Sequence, residues 1–238
     1  MVLFKNLYTN IIITIMEPNK TAFTVTKSEE DKKRIILTNV LTMLSNRIYI
    51  DKNGDKQPLL DKKAPDADKI DTAISPTIDL DKYEKRITDA GDNTFTIKVN
   101  NGEHYAIKIV FQRISATGKT SAISDFFREF AQFRKIIIAR EFNNKISDYV
   151  TKNQTQIFIE SALLHDIIRH RDQPRFELMS PKEMEQFKQE YNVTDYTINK
   201  MLRKDPITKY FGLKKGDVIR VIRPSPTAGE AIAYRIVS

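Results

Sequence analysis

A mixed α/β (α+β) fold in two modules is what this sequence predicts, from three observations. Ile35, Ile36, Val40, Leu41 and Leu44 recur at helical spacing after Ser28. Phe95, Ile97 and Val99, then Tyr105, Ile107, Ile109 and Phe111, alternate along the chain on either side of Asn101-Gly102. Ser180-Pro181-Lys182-Glu183 spells a helix start ahead of two strand-like runs at the C-terminus. Helices and strands mixed in this way along 238 residues allow one sizeable domain or two small ones.

Each element has a local cause. Ser28 is a helix cap, and Glu29, Glu30 and Asp31 place negative charge where the helix dipole favours it. Arg47–Ile50 reads as a short strand and Asn53-Gly54 as a turn. Residues 51–79, rich in Asp, Lys and Pro, predict a surface loop. The Phe95–Phe111 stretch predicts a hairpin with one buried face, because period two places alternate side chains together. Ile123, Phe126, Phe127, Phe130 and Phe133 read as an aromatic helix face, Ile136–Ala139 as a strand, and Gln156–His165 as a further helix.

The C-terminal third is punctuated more firmly. In the capping box the Ser180 hydroxyl takes the Glu183 N–H and Glu183 reaches back, with Pro181 at a position where no N–H is needed. Met184, Phe187 and Tyr191 supply the apolar face. Ile198, Met201 and Leu202 suggest a second short helix, and Asp205-Pro206 starts a third that Gly212 ends in a left-handed turn. Lys215-Gly216-Asp217 turns into a strand over Val218–Arg223. A loop with Pro224, Pro226 and Gly229 then leads to a last strand, Ile232–Val237, expected to pair with it.

The formal charge is +8, and half of the excess lies in residues 164–238, with 14 Lys/Arg against 10 Asp/Glu. A basic balance suits a polyanionic partner, but charge spread so evenly marks no single nucleic-acid patch. The chain has no cysteine, which excludes disulfides, thiol nucleophiles and thiolate metal sites. Ile11-Ile12-Ile13 is too short a run to span a bilayer, so no membrane partner is expected. Residues 1–15 read as an extension ahead of a second methionine, Met16, and the organised chain as starting after residue 27. Asn153-Gln154-Thr155 and Asn192-Val193-Thr194 match the glycosylation pattern by chance composition.

Candidate chemical motifs fail on their spacing. Gly118-Lys119-Thr120 would end a phosphate-binding loop, but Arg113 stands where the first glycine must be. Asp51-Lys52-Asn53-Gly54-Asp55 opens like a calcium loop, but Lys62 replaces its twelfth-position Glu. His165 and His170 are five apart and do not share a helix face. Asp79, Asp81 and Glu84 lie in a polar stretch rather than on strands, as a two-metal site requires. No nucleophile-elbow sequence is present. No catalytic residue, metal or cofactor is expected.

One long pattern remains. Asp205, Pro206, Tyr210, Gly212-Leu213-Lys214, Gly216-Asp217-Val218, Arg223, Ser225, Thr227-Ala228-Gly229-Glu230 and Tyr234-Arg235 stand in order at fixed spacing. With His170, Pro174 and Arg175 upstream, residues 165–238 resemble the common subunit of archaeal and eukaryotic nuclear RNA polymerases, which in eukaryotes is the fifth subunit. Phe176 replaces the second His of that family's His-x-x-x-Pro-Lys-His segment. Residues 28–164 resemble more weakly the eukaryotic jaw domain, through the helix from Glu29 and Asn143-Asn144 with Ile146-Ser147. The family's Thr-Pro-Ser-Ala turn is Ser147-Asp148-Tyr149-Val150 here, so that turn is not kept.

The resemblance implies a non-catalytic subunit of a multi-subunit DNA-directed RNA polymerase. Residues 1–27 would be an extension, residues 28–164 a jaw with the restriction-endonuclease fold but not its active site, and residues 165–238 an assembly domain. It implies docking on the largest subunit through the Pro224–Glu230 loop and exposed parts of Tyr210, Arg223 and Arg235, with Ser225, Thr227 and Glu230 in that surface. Asp205, Pro206, Gly212, Gly216, Asp217, Gly229 and Tyr234 would be structural, and Tyr234 and Leu213 read equally as core. Lys145, Ser147 and Lys152 would lie near downstream duplex DNA. A jaw-like module argues against an archaeal origin, and the Lys-, Ile- and Asn-rich composition suits a homologue from a large DNA virus. Location would follow: the nucleus for a cellular protein, the virion or host cell for a viral one. A free-standing nucleic-acid-binding protein with the same C-terminal module is the alternative; it would bind DNA alone with a steep salt dependence.

Overall fold

Ser28 starts helix α1 (Glu29–Asn46): its hydroxyl accepts the Asp31 N–H at 3.1 Å, ahead of a first turn holding Glu29, Glu30 and Asp31. The computed structural model describes residues 28–61, 86–115, 122–169 and 173–238. The expectations for residues 1–27, Asp79, Asp81, Glu84, Gly118-Lys119-Thr120 and His170 lie outside them. A short ribbon follows α1, with β1 (Ile48–Ile50) antiparallel to β2 (Lys56–Pro58). Asp51 closes it by accepting the N–H groups of Asn53 and Asp55, both at 2.9 Å, which accounts for the carboxylate that opens the calcium-like sequence. Within the expected 51–79 loop, Lys56–Pro58 form strand β2 instead, and Leu59 and Leu60 are buried.

The larger sheet has the order β3 (Ile87–Gly91), β4 (Thr94–Lys98), β5 (His104–Ile114), β6 (Arg134–Phe142), β7 (Thr155–Ile159). The first three strands run antiparallel, and β5, β6 and β7 run parallel. Parallel neighbours need crossovers, and α2 (Ala122–Glu129) and α3 (Asn144–Lys152) lie in those connections. Both faces of the sheet are consequently covered, which corrects the single buried face expected of the hairpin. Tyr105, Ile107, Ile109, Ile136 and Ile138 pack in one cluster with Ile36, Val40 and Leu44 of α1. Ala106, Ile137 and Ala139 pack in another with Ile123 and Phe126 of α2 and Ile146 and Val150 of α3.

The smaller sheet has the order β8 (Arg175–Leu178), β10 (Val218–Ser225), β11 (Gly229–Val237), β9 (Asn199–Met201). Strands β10 and β11 pair antiparallel as the sequence leads one to expect, and β9 joins β11 in parallel. Helix α5 (Pro181–Tyr191) keeps the full Ser180/Glu183 capping box and covers one face through Phe187. Helix α6 (Pro206–Phe211) covers the other, where Ile207 meets Ile219 and Val221.

Four further sequence expectations are corrected. The helix expected over Gln156–His165 is strand β7 followed by the single turn α4 (Glu160–Leu163). Ile157-Phe158 shows no alternation because Ile157 packs in the cluster of α2 and α3 and Phe158 in that of α1, while Ile159 is exposed. The short helix expected at Ile198–Leu202 is β9, which runs only over Asn199–Met201: Ile198, just before it, and Met201, its last residue, are both buried, and their spacing of three imitates a helix although they pack in different clusters. The aromatic helix face is shorter than expected: α2 ends at Glu129, and Phe130 and Phe133 continue the cluster from the following turn. Pro224 is inside β10, opposite Glu230, rather than in a loop. Strand β8 pairs β10 only as far as Ile222, so no ladder bond is lost at that proline.

Candidate docking surface

The residues of the long C-terminal pattern divide into those that make turns, those that face outward and those, Tyr210 and Val218, that are buried. Asp205 accepts the Ile207 N–H at 2.8 Å and Pro206 enters α6 at its first turn. Gly212 takes φ 64° just past the helix, where the N–H of Leu213 reaches Thr208 O at 3.0 Å and that of Gly212 reaches Lys209 O at 3.2 Å, a Schellman ending. The Asp217 carboxylate accepts the Lys214 N–H at 2.7 Å, while the Gly216 N–H donates to Val237 O at 2.9 Å, locking the start of β10 to the end of β11. Gly229, at φ 72°, closes the short Pro226–Ala228 connection, inside which the Ser225 hydroxyl accepts the Ala228 N–H at 3.3 Å. Tyr234 is half-buried, stacked on Phe187 at 4.0 Å with the Arg220 guanidinium 5.9 Å from its ring centre.

Of the residues expected on a partner-facing surface, Arg223, Thr227 and Glu230 are exposed, and Ser225 and Arg235 are half-buried on the same hairpin. Tyr210 is not among them. Its ring is only 3% exposed and sits in the cluster of α1 and the large sheet. The hydroxyl accepts from Asn46 Nδ2 at 2.9 Å, and burial, which penalises the phenolate, pushes its pKa well above the ordinary tyrosine value. An anchor for another chain must be reachable, so Tyr210 instead joins the two sheets of this one.

Arg47 completes that joint, although its place in the sequence suggests only a strand start. It is 4% exposed. Its Nε donates to Tyr210 O at 2.8 Å, and one terminal nitrogen donates to Lys209 O at 3.0 Å and Gln156 Oε1 at 2.7 Å. Burial among these neutral acceptors lowers its pKa from the ordinary arginine value. The signal lay in its position: four residues after Met43, Arg47 continues the buried stripe of α1, where a guanidinium needs several acceptors. Two outer ties run parallel to this joint. Lys182 Nζ donates to Asn53 O at 3.0 Å, and Lys56 pairs with Glu183.

Lys145 and Lys152 are exposed on α3, and Ser147 is half-buried between them. The segment expected to depart from the family's turn is helical, capped by Asn143, whose side chain accepts the Ile146 N–H at 2.9 Å. Lys152 also lines a cleft of about 680 Å³ with His104, Phe133 and Arg134, among others. Among the described residues, no group of three or more His, Asp or Glu is placed to hold a metal ion. None of their helices is long and apolar enough to cross a membrane.

Residues 165–237 match the family model described as RNA polymerase Rpb5, C-terminal domain. Over 222 residues the chain is 47% identical to "DNA-directed RNA polymerase subunit 5" of Acanthamoeba polyphaga mimivirus, covering 93% of this chain and all of that one. The chain belongs to the RNA polymerase subunit 5 family. Similarity within the family extends to cellular proteins over shorter stretches. The chain is 44% identical over 64 residues to "DNA-directed RNA polymerase subunit Rpo5" of Methanocaldococcus jannaschii, 27% of this chain and 82% of that one. It is 35% identical over 92 residues to "DNA-directed RNA polymerases I, II, and III subunit RPABC1" of Caenorhabditis elegans, 39% of this chain and 44% of that one. The subunit 5 family model covers the small sheet with α5 and α6, and the mimivirus relative is matched along its whole length.

Proposed function

We propose that this chain is a non-catalytic subunit of a multi-subunit DNA-directed RNA polymerase, held by the largest subunit and lying beside downstream duplex DNA. The observation that carries this reading is the 47% identity over the full length of a viral polymerase subunit 5. The family pattern supports a docking role, since Arg223, Thr227 and Glu230 project from one hairpin and lie outside both hydrophobic clusters of the small sheet. Arginine is a favoured interface anchor.

On this reading, residues 28–164 are the jaw and residues 165–238 the assembly domain, with residues 1–27 an extension. The mixed five-stranded sheet with helices on both faces is compatible with the restriction-endonuclease resemblance of a jaw. Lys145, Ser147 and Lys152 then offer the DNA-facing side. A viral subunit of this kind works in the virion or host cell. Affinity purification of the tagged full chain from its source tests the proposal. The expected result is recovery of the largest polymerase subunit in equal amount; a chain recovered alone would overturn it.

A further inference from the structure

Strand β11 pairs with β10 along its whole length, from Gly229 to Ile236, but with β9 only at Arg235, Ile236 and Val237. Among the described residues, no strand lies along its second edge from Gly229 to Tyr234. Which peptide groups face that edge follows from the strand's end. Val237 donates to Asp217 O and accepts from Gly216 N, both at 2.9 Å, so its peptide groups turn toward the β10 side. Alternation then turns the odd-numbered residues of β11 toward β10 and the even-numbered ones outward. Ile232 presents both its N–H and its C=O to the open edge, and Tyr234 presents its N–H. Glu230 differs, because its N–H folds back onto Ala228 O at 2.8 Å.

Unpaired peptide groups along an edge are a template for another strand, and proteins usually blunt such edges with Lys, Pro or a bulge. The run Ala231-Ile232-Ala233-Tyr234 has neither Lys nor Pro. Its two faces differ in chemistry. Toward α5, Ile232 is 51% exposed and Tyr191 is 58% exposed, with Tyr191 and Tyr234 ring centres 6.4 Å apart. On the opposite face Ala231 and Ala233 leave space for larger side chains, flanked by Arg223, which lies opposite Ala231, and by Arg235. Neither arginine has an ion-pair partner among the described residues.

We infer that the Ala231–Tyr234 edge of β11 takes up an extended segment of a partner polypeptide as an added strand, with alternating apolar and acidic side chains. Apolar side chains meet Ile232, Tyr234 and Tyr191, and carboxylates meet Arg223 and Arg235. Main-chain bonds supply the affinity and the alternation supplies the choice of partner. This rests on the subunit reading and names the surface and chemistry by which that docking occurs.

Hydrogen exchange of the full chain, free and within the purified polymerase, tests it at single amides. The Ile232 and Tyr234 amides should exchange at least about tenfold more slowly in the assembly, while the amides of Ala231 and Ala233, bonded to β10, stay protected in both. Co-purification with unchanged Ile232 exchange would overturn the added strand while leaving the subunit reading intact. Failure to co-purify would strike the subunit reading itself. Protection that builds with the chain's own concentration, with no other polypeptide present, would assign the edge to a second copy and overturn the proposal. Two variants add a second readout. Ile232→Pro removes an outward N–H without touching the β10 ladder, and the double charge reversal R223E/R235E leaves the backbone alone. Each should cut recovery of the partner about tenfold at an unchanged melting temperature; undiminished recovery with R223E/R235E would overturn the acidic character of the segment.

Discussion

Arg47 Nε donates to the carbonyl oxygen of Tyr210 at 2.8 Å, across 163 positions of sequence. The same guanidinium reaches Lys209 O, so it closes the last turn of α6 in the way a C-terminal cap does. Helix α1 of the large sheet and helix α6 of the small one are therefore joined by a buried cation with neutral acceptors. Removing one partner of a buried charge-assisted bond strands the other. Arg47→Met should cost about 3 kcal/mol in urea unfolding, and Arg47→Lys should recover little, because an ammonium cannot fork to the same acceptors. Tyr210→Phe, which loses the Asn46 bond and the hydroxyl's interaction with Asp166, should cost about 2 kcal/mol.

Gly212 shares this joint. A Cβ there would stand 3.2 Å from Arg47 Cζ, and the residue has φ 64°. Gly212→Ala should therefore carry a left-handed backbone cost of about 1–2 kcal/mol and a further cost from displacing a side chain held by several acceptors. The second cost disappears once Arg47 is gone. Urea unfolding of the single and double variants should show Gly212→Ala to be less damaging in the Arg47→Ala background; equal costs in both would mean the contact carries no strain.

Acid should loosen the outer tie. Burial opposes ionisation of Glu183, but Lys56 and the Ser180 N–H outweigh it and hold the carboxyl below its ordinary value. A lowered folded-state value means the contribution is present above the unfolded carboxyl pKa, about 4.3, and is lost as pH falls through the folded value. Unfolding midpoints measured from pH 7 downward should fall below about pH 4.5, and Glu183→Gln should flatten that limb while lowering stability at pH 7.

Much of this architecture was legible because local chemistry and tertiary fate agreed. Ser28, the Ser180/Glu183 box, Asp205-Pro206 and Gly212 act where their side chains or backbone freedom demand. The elements misread were those whose pattern is set from outside. Strand β7 has no period because Ile157 and Phe158 are buried on opposite faces, and β9 is too short to show one. The exposed hairpin positions could be named from the pattern, but their exposure could not. Tyr210 and Arg223 look alike as candidate anchors in sequence, and only the packing of α6 onto α1 buries one and leaves the other in solvent.

The DNA-facing reading of α3 makes a quantitative demand. Lys145 and Lys152 are two turns apart, a spacing that brings both to one side of the helix. Each phosphate neutralised should contribute about 0.9 to the magnitude of the slope of log K against log salt. In the assembled polymerase, K145A/K152A should therefore lower that magnitude by up to about 2 for downstream duplex, with little effect on the chain's own stability because both side chains are exposed. The measurement is polymerase retention on a DNA template across a salt series, with catalytic rate at low salt as the control. A slope identical to that of the parent would show that α3 does not touch the phosphates.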